Sequence, residues 1–189
     1  PAESGPSSGG AALLLLDPDS FGVEAAVLSA QLRAVFRAAN RTGVAPSTLA
    51  AQLQSCLEVD LRDATMVRAW LGGLDTASGT VSWVAAGLGA NVVHFRAATA
   101  DAVVAASVEP ALGAVAGHVF APSSLELAPG DMLCVVSNGI IDALNKERQR
   151  LGLAWLQQLL VRHAQKDAAT LVREIDRTVV DFTAGTRMP

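Results

Sequence analysis

Tyrosine is absent from the chain, and five phenylalanines and three tryptophans bring the aromatic share to only 4% of its 189 residues. Charge is sparse as well: Asp, Glu, Lys and Arg make up 17%, scattered along the chain to a net charge of −4. No basic run occurs, and no basic stretch is interleaved with aromatics. The electrostatic footprint and stacking platform that nucleic acids require are both missing, so nucleic-acid binding is disfavoured as a main function. Cys56 and Cys134 are the only cysteines and sit in unrelated apolar segments. That pattern predicts two free, buried thiols rather than a disulfide or a metal pair, as suits a reducing cytoplasm. No apolar run approaches the ~20 residues needed to span a bilayer. Ala11 to Leu16 is too short for a signal-peptide core and has no basic flank before it, so the chain reads as a soluble, cytoplasmic protein with no membrane partner.

What is present is apolar: 51% of residues are hydrophobic, enough for one domain with a real core. Alanine supplies much of that share, and its small side chain buries little area. Residues 1–10 are rich in Pro, Gly and Ser and read as a linker or as the loop of a first hairpin. Residues 11–189 read as a single domain.

The run Ala11 to Leu16 predicts a buried strand that stops at the turn Asp17-Pro18-Asp19-Ser20. Gly22 to Asn40 carries Val23, Ala26, Val27, Ala30, Ala34 and Val35 at helical spacing. Pro46-Ser47 opens a second helix with Leu49, Leu53, Cys56, Leu57 and Val59 as its apolar positions, ahead of a charged stretch over Asp60 to Asp63. Strands are then expected at Thr65 to Leu74, Thr80 to Ala86, Asn91 to Phe95, His118 to Leu127 and Met132 to Ser137. A hairpin loop spans Asp75 to Gly79, and Pro129-Gly130-Asp131 is a tight turn joining the last two strands. Helical patterns follow at Ile140 to Asn145, Leu153 to His163 and Ala168 to Phe182. Strand, two helices, a run of antiparallel strands and then helices is not a βαβα alternation, so an α+β fold is expected, with sheets covered by helices.

Three places could carry chemistry. Asp17 to Gly22 lies between a buried strand and a helix, where carboxylates can hold a hard cation such as Mg²⁺ or Mn²⁺. Asp and Ser are equally at home there as turn and N-cap residues, and from spacing alone that plainer reading is the stronger. Ser137-Asn138-Gly139 follows an apolar strand, and Asn138 could offer an uncharged amide oxygen, although an ordinary strand-to-helix turn is again favoured. His94, His118 and His163 fall on separate elements without metal-ligand spacing. The chain also has no Gly-rich phosphate loop and no nucleophile elbow.

Taken in order, these segments resemble the SpoIIE-like bacterial branch of the metal-dependent PPM protein phosphatases. Leu13 to Leu28 resembles the family's strand ending in an Asp, its D-x-x-G-x-G turn and its long helix. Leu74 to Gly87 resembles the central hairpin, and Leu125 to Asn145 the Pro-Gly-Asp turn, strand, Thr-Asp-Gly motif and short helix. The resemblance implies a four-layer αββα sandwich and hydrolysis of phosphoserine or phosphothreonine by water bridging two Mn²⁺ or Mg²⁺ ions.

Residue by residue, the resemblance places Asp17 at the metal-bridging Asp, the backbone carbonyl of Pro18 at a metal ligand and Gly22 at the last Gly of the turn. Asp19, Ser20 and Gly139 line the same site, with Ser20 and Phe21 standing where the family has Gly and often His. Asn138 stands where the family has a metal-binding Asp. Two further elements that the resemblance implies are not within this sequence: an acid on a hairpin before residue 1, and an Asp-Asp pair after the last helix, about where the sequence stops at Met188-Pro189.

An amide offsets the dehydration of a dication far less well than a carboxylate. The resemblance therefore favours a degenerate pseudophosphatase that regulates by binding proteins of sigma-factor or anti-sigma pathways, as an output domain behind a receiver domain. In that reading no catalytic residue is assigned and no metal is required. The alternatives are an active Mn²⁺- or Mg²⁺-dependent serine/threonine phosphatase and a purely structural or dimerising domain.

Overall fold

The computed structural model describes residues 10–41, 43–60, 66–88, 91–107 and 109–184. The segment 1–9, most of the charged stretch 60–63 and the C-terminal residues 185–189 lie outside the described residues. The chain divides into two compact units, one of residues 1–89 and 107–127 and the other of residues 90–106 and 128–189.

The first unit opens with β1 (Ala11–Pro18), α1 (Gly22–Asn40) and α2 (Pro46–Asp60), and continues with β2 (Val67–Asp75), β3 (Thr80–Ala86) and, after an excursion into the second unit, β6 (Ser123–Glu126). Its sheet is antiparallel in the order β1-β2-β3-β6. Leu28 and Leu32 of α1 and Leu49, Leu53 and Leu57 of α2 pack with Val67, Ala69 and Leu71 of β2 and Val84 of β3. The helical spacing of those leucines meets the two-residue spacing of the strand, which is why one face of the sheet is covered. Trp70 and Trp83 are buried and stacked with ring centroids 6.4 Å apart.

The second unit holds β4 (Val92–Arg96), β5 (Asp101–Val104) and β7 (Met132–Val135) in the antiparallel order β5-β4-β7, followed by α3 (Asn138–Ile141), α4 (Leu153–Arg162) and α5 (Ala168–Phe182). Leu156, Leu159 and Leu160 of α4 and Leu171 and Ile175 of α5 form its core with Val93, Phe95 and Val136. Asp167 caps α5, its carboxylate accepting from the Thr170 N–H at 2.7 Å. Cys56 and Cys134 are free thiols, and burial pushes the Cys134 thiol up to about 11.

The helices over 22–40 and 168–182 coincide with those expected, and β1 runs on to Pro18. The strand expected over 118–127 is shorter, because His118 to Phe120 belong to a loop held by side chains rather than by a ladder. The turn at Pro129-Gly130-Asp131 does not join a paired hairpin: β6 pairs with β3 and β7 with β4, so the chain changes sheets there. β5 was not anticipated, since Asp101 to Val104 is too short to show a period.

Candidate functional site

Asp17 is the next-to-last residue of β1 and stands directly opposite Arg68 in the β1–β2 register. One guanidinium therefore meets two carboxylates. Arg68 Nε lies 3.4 Å from Asp17 Oδ2, and Arg68 Nη2 lies 3.6 Å from Asp19 Oδ1. Pro18 pairs with Val67, and the Asp19 N–H donates to the Met66 carbonyl at 2.9 Å, so the backbone of the turn is tied to β2 on both sides of Pro18. Side-chain exposures of 29% for Arg68, 25% for Asp17 and 50% for Asp19 leave the pairs in contact with water. Such pairs stabilise a fold by only ~0–1 kcal/mol, so their importance is electrostatic rather than structural.

The turn closes on Ser20, whose hydroxyl is buried without a partner among the described residues. Phe21 is extended and 84% exposed, and Gly22 starts α1 at φ +66. A Cβ at Gly22 would meet nothing within 4 Å, so glycine is favoured there by backbone conformation and not by space.

Arg68 is held from a third side. Gly87, just past β3 and at φ +70, donates its N–H to the Glu109 carbonyl at 3.0 Å. A Cβ at Gly87 would fall 2.9 Å from Arg68 Cγ and 3.1 Å from Ala111 Cβ. Glycine there leaves the groove along which the aliphatic stem of Arg68 runs toward the two aspartates.

Asn138 and Gly139 belong to the second unit and begin α3 after Ser137, which is extended. The Asn138 Oδ1 accepts from the Asn91 side-chain amide at 2.6 Å. Asn91 is 6% exposed, and its carbonyl accepts the Val136 N–H at 3.2 Å. The amide oxygen of Asn138 is thus already engaged by a buried donor. A Cβ at Gly139 would meet only Ser137 Oγ at an ordinary 3.6 Å, so glycine is not demanded by space there.

The histidines form no site with these residues. His94 Nε2 lies 2.9 Å from Asp131 Oδ2 in the second unit, and His118 Nε2 lies 2.6 Å from Glu109 Oε2 in the first. Each of these two imidazoles therefore has a carboxylate partner of its own.

A two-metal centre needs several carboxylates converging on the ions. Neither unit by itself offers such a set among its described residues. Asp17 and Asp19 share a cation that the chain itself supplies, Ser20 offers only a neutral hydroxyl, and Asn138 offers a neutral amide already hydrogen-bonded. Among the described residues, no group of three or more His, Cys, Asp or Glu is disposed to hold a metal ion. Arg68, Gly87 and Asn91 are not among the site residues that the sequence suggests, although Gly87 ends the hairpin of the resemblance and Asn91 opens an expected strand. Only the β1–β2 register brings Arg68 to Asp17, and nothing local marks it.

Residues 7–188 match the model of the family described as Stage II sporulation protein E (SpoIIE). The chain belongs to the SpoIIE family. Comparison with curated proteins gives no match. Among solved structures, it is similar to the SiaA PP2C domain of Pseudomonas aeruginosa, with a TM-score of 0.80 at 15% identity over 98% of this chain and 73% of that one. It is also similar to the RsbU and RsbW domains of a Mycobacterium tuberculosis protein, with a TM-score of 0.79 at 22% identity over 96% of this chain and 50% of that one. A third likeness is to the PP2C phosphatase domain and a fragment of the regulatory domain of SpoIIE from Bacillus subtilis, with a TM-score of 0.71 at 14% identity over 96% of this chain and 57% of that one. The SpoIIE-family chain thus spans about half the length of the second and third of these structures. At these identities the likeness shows the fold: the α+β architecture of the PP2C-type phosphatases, as the ordered resemblance of its segments led one to expect.

Proposed function

We propose that this SpoIIE-family domain is a pseudophosphatase that regulates by binding a protein of a sigma-factor or anti-sigma pathway. The observation that carries the reading is Asn138. It stands where the family's Thr-Asp-Gly motif supplies a metal-binding acid, it carries no charge, and its amide oxygen accepts a 2.6 Å hydrogen bond from Asn91. One Asp-to-Asn difference removes a full negative charge from a site that must offset the dehydration of a dication. The likeness to a chain that joins an RsbU domain to an RsbW domain supports a protein partner of that kind, and the family resemblance supports a receiver domain elsewhere in a longer protein. In this reading Asp17, the Pro18 carbonyl, Asp19, Ser20, Gly22 and Gly139 are remnants of a metal-site frame, with no Mn²⁺ or Mg²⁺ required.

The competing reading is an active Mn²⁺- or Mg²⁺-dependent phosphoserine/phosphothreonine phosphatase, favoured by the retained Asp17 at the end of β1. The test is hydrolysis of a phosphoserine peptide in millimolar Mn²⁺ by the wild-type chain and by Asp17→Ala. The expected result is background turnover in both, together with saturable calorimetric binding of a purified anti-sigma factor. Robust turnover that disappears in Asp17→Ala would overturn the proposal.

A further inference from the structure

We propose that Arg68 is a built-in cation that takes the place of a divalent metal beside Asp17 and Asp19, and that Gly87 is the residue that lets it stand there. The inference rests on the metal-free reading above and gives it a physical cause in the first unit.

Three observations converge. First, the β1–β2 register sets Arg68 opposite Asp17, and its guanidinium reaches both carboxylates, at 3.4 Å and 3.6 Å. Arginine cannot lose its charge in a protein, so this countercharge is present at every working pH. Second, the stem is confined. A Cβ at Gly87 would fall 2.9 Å from Arg68 Cγ, with Ala111 closing the other side of the groove. Third, the turn is held without a metal: Asp19 N donates to the Met66 carbonyl, and Val67 exchanges both backbone hydrogen bonds with Leu112, at 3.0 and 2.9 Å. The two aspartates therefore have their countercharge and their backbone support before any ion arrives. A dication would have to displace the guanidinium or share two carboxylates with it, and like charges at such distances repel. Arg68 is a positioning residue in this account, since it acts on the carboxylates and on no substrate.

The experiment is titration with Mn²⁺ alone, followed by calorimetry and by paramagnetic broadening of backbone amide signals near Asp17. Four chains are compared: wild type, Arg68→Gln, Arg68→Lys and Gly87→Ala, each checked for folding by circular dichroism. Removing one unit charge from beside two carboxylates is expected to raise Mn²⁺ affinity about tenfold in Arg68→Gln. Broadening should centre on Asp17, Asp19 and Ser20. Arg68→Lys, which keeps the charge, should bind no better than wild type. Gly87→Ala, which pushes the stem aside, should gain affinity with Arg68 intact.

Equal Mn²⁺ affinity in wild type and Arg68→Gln, whether weak or tight, would overturn the proposal. Should Arg68→Gln fail to fold, wild-type broadening at Asp17 and Asp19 at Mn²⁺ concentrations that leave the rest of the chain unaffected would overturn it equally. The two readings fail separately. Wild-type phosphatase turnover overturns the pseudophosphatase function, whereas an Arg68→Gln chain that gains no Mn²⁺ overturns only the role of Arg68.

Discussion

Asp131 shows how a residue that reads as turn punctuation becomes a structural anchor. Its Oδ1 accepts the Ala97 N–H at 2.8 Å, and its Oδ2 accepts the Ala128 N–H at 3.2 Å and meets His94 Nε2 at 2.9 Å. The Ala97 N–H, with help from His94 and the Ala128 N–H, holds this carboxyl below the usual aspartate range. A carboxyl whose pKa is lower in the folded state lends stability that is complete above the unfolded value of ~4 and is lost as pH falls through the folded value. Asp131→Asn should therefore destabilise the chain by about 1–3 kcal/mol at neutral pH, because charge-assisted hydrogen bonds are replaced by neutral ones. Urea titrations from neutral pH down to pH ~3 should show the gap between wild type and Asp131→Asn closing as acid is added. A gap independent of pH would show that the charge of Asp131 is not what matters.

Among elements, the loop between β5 and β6 extends past His118 into the expected strand, and side chains of α2 and of the loop hold it. Gln54 of α2 is 3% exposed; its Oε1 accepts the Gly113 N–H at 2.8 Å and its Nε2 donates to the Val115 carbonyl at 3.0 Å. One turn further on, Glu58 accepts the Gly117 N–H at 2.8 Å and the Gln54 amide at 2.6 Å. Glu109 closes the loop by holding His118 and accepting the Ala121 N–H. Backbone groups that no ladder satisfies are satisfied here by side chains of α2 and of the loop itself. Gln54→Ala strips a buried N–H and a carbonyl of their partners and should cost ~2–3 kcal/mol. Hydrogen exchange at the Gly113 amide should accelerate with it. Unchanged protection at Gly113 would show that the loop is held by other means.

For the whole molecule, each unit has its own core. Leu53 is fully buried in the cluster built by α1, α2, β2 and β3, and Leu160 is 1% exposed in the cluster built by β4, α4 and α5. Truncating either to alanine should cost ~2–5 kcal/mol. Since the two leucines share no cluster neighbours, the double variant should show the sum of the single costs to within ~0.5 kcal/mol by chemical denaturation. A sum that fails by more would reveal coupling between the cores. No helix among the described residues is long and apolar enough to cross a membrane.

The sequence by itself determined the fold class and most elements, because that information is local and periodic. The apolar stripes of α2, α4 and α5 repeat at helical spacing, β1 is a short apolar run closed by Asp17-Pro18, and the ordered segments resemble one family. Asp17 and Asn138 were legible as candidate positions because their motifs are contiguous in the chain. What stands next to them was not. Arg68 and Asp17 are 51 positions apart, and their meeting depends on the register of two whole strands. The bond from Asn91 to Asn138 spans 47 positions. Register and long-range contact are set by how whole strands pair and pack, which no local pattern encodes, so only the tertiary structure could decide that the carboxylates already have a cation and the amide already has a donor.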